Sequence, residues 1–320
     1  MPEDRVATDA PRRVALVVGP STGGIGGHVR SVAAGLASAG WEVVVCGPPA
    51  TEERFGFTGV GATFRPVAIS TGTRPDRDVF AVRALRHAVA DADVLHAHGL
   101  KAAAVAGAVR GRRPLVVTWH NAVLGSGLRR TGTGALERWV ARRATVTLGA
   151  SSDLVERARS LGARDARLGP VAAPRLPAPA RSREQVRAAL EAGERPVVLA
   201  AARLAPQKRH DVLLEASRAW MRRDPAPLVV VAGDGPLRAS LERRIHVEGL
   251  PVRLLGHRED VADLLAAADV VVLTSDWEAR ALVAQEALRA GVPLVATAVG
   301  GVPELVGDAA ELVRPGRPAA

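Results

Sequence analysis

The sequence predicts an α/β chain built as two doubly wound, Rossmann-like domains, and three observations predict it. Short, unbroken Val/Leu runs recur along the chain, longer Ala/Arg/Leu stretches of helical period lie between them, and a proline-rich segment interrupts the rhythm once. The runs Val14–Val18, Val43–Val45, Leu115–Val117, Val197–Leu199, Leu228–Val231 and Val270–Leu273 read as strands. They are continuous rather than alternating, the pattern of parallel strands covered on both faces. Helices are expected at His28–Ala39, Ser182–Glu191, Asp211–Arg222 and Val261–Ala268, with Gly40, Gly162 and Gly291 placed as helix stops. The break, Gly169–Arg181, holds Pro170, Pro174, Pro177 and Pro179. The division that follows is a loose tail at 1–13, an N-terminal domain at 14–169, a linker at 170–181 and a C-terminal domain at 182–320. The halves echo each other: Ala90-Asp91-Ala92-Asp93-Val94-Leu95 resembles Ala267-Ala268-Asp269-Val270-Val271, each a helix end running into a strand.

Composition narrows the class. At 320 residues, 48% hydrophobic and 24% charged, the chain has ordinary globular proportions. No apolar run approaches the ~20 residues of a spanning helix, and Met1–Arg13 lacks the apolar centre of a secretory signal. Cys46 is the single cysteine, so no internal disulfide can form. These features point to the cytoplasm. Of the 43 Lys and Arg residues only Lys101 and Lys208 are lysine, and Asn121 is the only asparagine, which singles those three out as candidates for function. Charge is uneven: residues 14–170 hold 20 basic and 11 acidic residues, and residues 171–320 hold 20 and 19. The basic half is either an Arg-rich solvated surface or a surface for an anionic partner, such as a phosphorylated or lipid-linked acceptor or the inner face of a membrane. Nucleic acid fits least, because that half lacks clustered aromatics on which bases could stack.

In open α/β sheets ligands sit beyond the carboxyl ends of the strands, so the residues after each strand carry the information. After the first strand come Gly19-Pro20-Ser21-Thr22-Gly23-Gly24-Ile25-Gly26-Gly27-His28. This is either a flexible turn or a phosphate-approaching loop opening onto a helix N-terminus. It is not a clean dinucleotide fingerprint, and the second strand ends at Cys46-Gly47 without an acidic residue for a ribose, so an oxidoreductase is disfavoured. After Val197–Ala202 come Arg203 and Lys208, a guanidinium and an ammonium suited to a diphosphate. The strongest block is Ser275 to Ala287, where Glu278 falls in a loop and Glu286 on a helix. Between them the N–H groups at Ala281, Leu282 and Val283 are free to meet phosphate, and Glu286 can accept from ribose hydroxyls.

This block resembles the E-x7-E region of retaining family-four glycosyltransferases of GT-B fold. Arg203 and Lys208 resemble that family's donor-diphosphate pair, Gly23 and Gly24 its N-terminal glycine loop, and Val116-Val117-Thr118-Trp119-His120 its strand ending in an active-site histidine. The resemblance runs from Val14 to about Arg314 and implies two domains facing a central cleft. It implies that Glu278 lies near the transferred sugar, Glu286 near the ribose, and His120, backed by Asn121, opposite the reacting carbon. It further implies a nucleotide sugar as donor, no metal and no cofactor, and front-face transfer with retention. Ala279 and Ala281 stand where the family often has Gly and Pro, and Gly169-Pro170-Val171-Ala172 stands in place of Asn-Gly-Val-Asp. Ending at Ala320, the chain reads as shortened at its C-terminal end relative to the family.

Other signals are weaker. His96 and His98 would share one face of a strand, but no third ligand is spaced to join them, so a structural or acceptor-loop role is expected over a metal. Asp76/Asp78 and Asp91/Asp93 spell a metal-binding D-x-D by chance and precede a strand rather than follow one. Gly233-Asp234-Gly235-Pro236 closes a strand, and turn chemistry alone accounts for it, although Gly233 is also a candidate donor contact. Leu128–Arg143, with Leu136, Trp139 and Val140 among Arg129, Arg130, Arg138, Arg142 and Arg143, is either a surface helix with a core stripe or a helix lying on an anionic membrane. The expectation is a hexosyl transfer from a nucleoside-diphosphate sugar to an unidentified acceptor. The alternatives are a catalytically silent nucleotide-sugar-binding module and a nucleotide-sugar epimerase of similar fold.

Overall fold

The computed structural model describes residues 12–21, 23–70, 75–121 and 128–316, with the backbone alone at 75–77 and 128–131. Tail residues 1–11, Thr22 of the glycine loop, the side chains of Asp76, Leu128, Arg129 and Arg130, and residues 317–320 therefore lie outside it. The chain divides into two compact units after Pro174.

The first unit runs β1 (Arg13–Val18), α1 (Gly24–Ser38), β2 (Glu42–Gly47), α2 (Pro49–Phe55), β3 (Thr63–Pro66), α3 (Pro75–Ala88), β4 (Val94–His98), α4 (Leu100–Val109), β5 (Leu115–Trp119), α5 (Leu128–Arg143), β6 (Val146–Gly149), α6 (Ser152–Ser160) and β7 (Ala166–Leu168). Its seven strands are all parallel in the order β3-β2-β1-β4-β5-β6-β7. Alternate residues of β1 explain the double winding. Val14, Leu16 and Val18 pack with Val29 and Ala33 of α1, while Ala15 and Val17, on the other face, are equally buried. The helix α4, rich in alanine and buried on most sides, packs against both α3 and α5.

The second unit runs α7 (Arg183–Ala189), β8 (Val197–Ala201), α8 (His210–Trp220), β9 (Leu228–Ala232), α9 (Arg238–Glu248), β10 (Val252–Gly256), α10 (Val261–Ala267), β11 (Val270–Leu273), α11 (Leu282–Ala290), β12 (Leu294–Thr297), α12 (Val302–Val306) and β13 (Glu311–Val313). Its strands are parallel in the order β10-β9-β8-β11-β12-β13. Val197 and Leu199 of β8 enter a core with α7, α10, α11 and α12, whereas Val198 and Ala200 enter a second core with α8 and α9. The helix α7 starts as its sequence suggests, with Ser182 and Gln185 forming a reciprocal capping box.

Each sheet reverses its order between two central strands, β1/β4 in the first unit and β8/β11 in the second. Loops leaving those strands diverge to opposite faces and open a crevice between them. Among the described residues no helix is long and apolar enough to cross a membrane. One side chain departs from its expected place: Trp139 of α5 is 42% exposed, while Val140 beside it is buried. Trp139 packs against Gly107 of α4, where an added Cβ would come within 2.9 Å of its ring.

Candidate active site

In the second unit the loop after β8 and the loop after β11 meet at the switch point. The first contains a single 3-10 turn, Pro206–Lys208, and brings Lys208 into an ion pair with Glu278 of the second. Glu278 is only 7% exposed. A carboxylate buried so far needs donors, and Ser275 Oγ supplies a second one to the same Oε1 at 2.7 Å. Backbone ties hold the two loops in register. Gln207 Nε2 donates to Trp277 O at 2.6 Å, Asp276 N donates to Gln207 O at 2.9 Å, and Thr274 Oγ1 donates to Lys208 O at 2.9 Å. Arg209 clasps Asp211 and Asp276, and Asp211 is held below the usual carboxylate range mainly by its hydrogen bonds from Arg209.

Two glycines admit backbone where a side chain could not fit. At Gly300, with φ of +51°, a Cβ would stand 2.1 Å from Glu278 O, and the next residue, Gly301, donates its N–H to that same oxygen at 2.8 Å. At Gly233, with φ of +152°, a Cβ would stand 1.9 Å from Ala202 O, directly before Arg203. Gly233 thus acts by letting the Arg203 loop approach, which turn chemistry alone does not explain. His210 Nε2 meets Arg203 O at 3.3 Å and pins that loop from the α8 side.

Above this base, Arg203 is exposed, and among the described residues its guanidinium has no carboxylate partner. The helix α11 begins with Ala281 as its N-cap, a residue with no side chain able to cap it. The free N–H groups therefore belong to Leu282 and Val283 and the next residue rather than starting at Ala281, and they carry the helix's positive end. Glu286 lies on α11, half-buried; desolvation raises its carboxyl, partly offset by Arg289. It makes no hydrogen bond with Lys208 or Glu278 among the described residues. The structure therefore joins Lys208 with Glu278 and leaves Arg203 and Glu286 apart from that pair.

In the first unit the switch point gathers four imidazoles. Register places His96 beside Leu16 and His98 beside Val18 across β1/β4, and His98 beside Thr118 across β4/β5. His120 follows β5 directly, and His28 stands on the first turns of α1. The His96 and His98 ring centroids are 4.2 Å apart; His28 sits edge-on to His98 at 5.5 Å and to His120 at 5.4 Å. His98 Nδ1 lies 3.2 Å from His120 Nε2, and His96 Nε2 lies 2.7 Å from Thr118 Oγ1. Desolvation first, and neighbouring imidazoles second, pull His96 down to about 4 and His120 to about 3, with His98 well below the ordinary range. Burial lowers His28 as well. All four rings are uncharged at neutral pH.

The sequence named His120 and the His96/His98 pair but missed His28, which strand order alone brings to them. The signal was its position just after the glycine loop of the first strand. Among the described residues no set of three His, Cys, Asp or Glu side chains is placed to hold a metal ion. Asn121 is exposed and makes no hydrogen bond with His120 among the described residues, so it does not back the ring. In the glycine loop, Gly23 caps α1 and Gly24 opens it, both exposed. The glycine that packing demands is Gly26, where a Cβ would strike the Phe55 ring at 2.1 Å. Asp91 pairs with Arg13, and Asp93 accepts from the Arg13 N–H. Asp78 lies in the first turn of α3 and pairs with Lys101 at 2.5 Å. Both aspartates of the 91/93 pair and Asp78 are thus spent on structural contacts.

Comparison with known proteins agrees in both units. Residues 23–174 match a glycosyl transferase 4-like domain, and residues 182–320 match glycosyl transferases group 1. The D-inositol 3-phosphate glycosyltransferase of Saccharomonospora viridis is 41% identical over 141 residues, 40% of this chain and 33% of its own length. The alpha-D-kanosaminyltransferase of Streptomyces kanamyceticus is 31% identical over 191 residues, 55% of this chain and 49% of its own. The matched segments thus span a third to a half of those relatives. Among solved structures, Anabaena HepE in complex with UDP-glucose superposes with a TM-score of 0.82 at 21% identity, covering 96% of this chain and 86% of that one. WaaG, a glycosyltransferase involved in lipopolysaccharide biosynthesis, gives 0.70 at 18%, covering 94% and 86%. At such identities the structural likeness speaks to fold: two Rossmann-like units of GT-B type.

Proposed function

The chain belongs to the group 1 glycosyl transferases, and from that premise we propose that it transfers a hexose-type sugar from a nucleoside diphosphate to an acceptor hydroxyl with retention. The observation that carries this reading is the β8/β11 crevice. A carboxylate fixed by Lys208 and Ser275, an unshielded Arg203 and the uncapped start of α11 stand on neighbouring loops there. Breaking a glycosyl–phosphate bond sends its electron pair to the leaving diphosphate, and positive groups already in place stabilise that charge most. Arg203, Lys208 and the N–H groups of Leu282 and Val283 take that part, Glu278 orients the sugar hydroxyls, and Glu286 accepts from the ribose. The acceptor oxygen bonds to the anomeric carbon on the face that the diphosphate leaves, and its proton passes to the departing oxygen. Neutral His120 acts on the sugar as a hydrogen-bond partner. No metal or cofactor takes part, since these cations supply the positive charge.

On this reading the acceptor is anionic and lipid-linked, in keeping with the basic surplus of the first unit and with Trp139 exposed beside Arg138, Arg142 and Arg143. The test supplies UDP-, GDP- and ADP-hexoses with inositol phosphates, simple polyols and glycolipids in anionic vesicles. Nucleoside diphosphate released in step with an α-glycoside from an α-donor supports the reading. Donor epimerised without acceptor, a β-product, or no release with any pair contradicts it.

A further inference from the structure

The imidazole pair at the first unit's switch point carries information beyond the presence of His120. His98 is 2% exposed and His120 is 8% exposed, and their facing nitrogens, His98 Nδ1 and His120 Nε2, are 3.2 Å apart. Two uncharged rings have one proton to place between those atoms. If His120 Nε2 donated, His98 would carry its own proton on Nε2. That atom is buried and has no hydrogen-bond partner among the described residues, so an N–H would be stranded in apolar surroundings. If His98 Nδ1 donates, its Nε2 is left as a bare lone pair. An orphaned buried N–H is the rarer and costlier of the two outcomes. The surroundings do not reverse the choice: His96 Nε2 is engaged with Thr118 Oγ1, and His28 is T-shaped to both rings without a hydrogen bond to either among the described residues.

We propose that His98 is a positioning residue that donates from Nδ1 to His120 Nε2, holds the His120 ring in place, and fixes its proton on Nδ1. The assignment extends the functional reading above, on which its kinetic consequence rests. His120 then carries an N–H rather than a lone pair on its other ring nitrogen, Nδ1. It serves the sugar as a fixed hydrogen-bond donor, and not as a general base. No proton is transferred by His98 itself.

The direct test is the ring-nitrogen spectrum of the wild-type protein labelled with ¹⁵N-histidine, with His120 assigned through His120→Gln. The expected result is a protonated-type Nδ1 and an unprotonated-type Nε2 for His120 at pH 7. The opposite pattern overturns the proposal, and the readout needs no donor, so it stands apart from whether transfer occurs. Kinetics give the second arm. His98→Leu removes the donor and should lower kcat ~10–100-fold, the usual effect of losing the partner that orients a functional imidazole, with KM for the donor unchanged. His98→Asn places an amide N–H near the old Nδ1 position and should restore most of that loss. Equal kcat for the Leu and Asn variants, both folded by circular dichroism, would contradict the positioning role.

Discussion

The two units wind their strands in the same order and open a crevice at equivalent places, yet they fill it with opposite chemistry. On β4 and after β1 and β5 stand four uncharged imidazoles in ring contact; after β8 and β11 stand Arg203, Lys208, Glu278, Asp276 and Arg209, all ionisable. On the proposed function, the difference follows from what each crevice does at neutral pH. A diphosphate needs permanent charge, which guanidinium and ammonium groups keep in any surroundings. A partner for sugar hydroxyls needs direction, which a buried neutral ring supplies without attracting counterions. The fold therefore fixes where a site lies, and the residues after each strand decide what it binds.

The sharpest way to break this contrast is to remove one member from each crevice. Lys208→Ala takes away a preorganised cation and leaves Glu278 buried without its partner; turnover should fall ~10²–10³-fold. His120→Ala should lower kcat ~10–100-fold while donor KM stays near wild type. Steady-state kinetics on both variants check the split, and equal loss of kcat and affinity in both would erase the proposed division of labour.

Glycines sharpen the comparison at the level of packing. Gly300→Ala forces a Cβ against Glu278 O at a positive φ and should cost ~1–3 kcal/mol in urea unfolding. Gly23→Ala meets nothing within 4 Å, at a φ of −148°, and should stay within ~0.5 kcal/mol.

Acid separates the units as well. A histidine whose folded pKa is depressed binds its proton more readily when unfolded, so stability is full above the unfolded value near 6.5 and drains away as pH falls toward the folded one. With His120 at about 3 and His96 at about 4, the first unit should lose roughly 4 kcal/mol by pH 5, about 2 from each ring. In the second unit burial lowers His210 in the same direction. Its depressed carboxylates Asp211, Asp260, Asp263 and Asp269 keep their stabilisation until pH falls below about 4. Hydrogen exchange of β1 and β4 against β8 and β11 at pH 5 and pH 7 should show protection falling in the first pair. The smallest expected effect is on Arg203→Ala: stability within ~0.5 kcal/mol, since the side chain is exposed, with donor affinity weaker about tenfold.

Much of this was legible in the chain. Unbroken Val/Leu runs marked the central strands because parallel strands are apolar on both faces; the rule that ligands sit past the strand ends led to Lys208 and Glu278, and the family resemblance to His120. What the sequence hid was partnership. Lys208 and Glu278 are 70 positions apart, and nothing in the linear pattern says that the β8 and β11 loops meet, since that depends on strand order. His28 was overlooked for the same reason. The packing need at Gly26 and Gly300 was not legible, because it is set by Phe55 and the Glu278 carbonyl, neighbours distant in sequence. Trp139 reads from the sequence either as core or as a surface group, and its contact with Gly107, distant in sequence, is what the linear pattern hid.

The central claim, that the β8/β11 crevice holds a nucleoside diphosphate, is tested most directly by thermal unfolding with and without UDP-, GDP- and ADP-hexoses. A ligand bound only by the folded state raises Tm by mass action. The account predicts a rise for at least one donor with wild type, a smaller rise with Arg203→Ala and none with Lys208→Ala. No rise with any donor for wild type, or an equal rise in all three proteins, would contradict it.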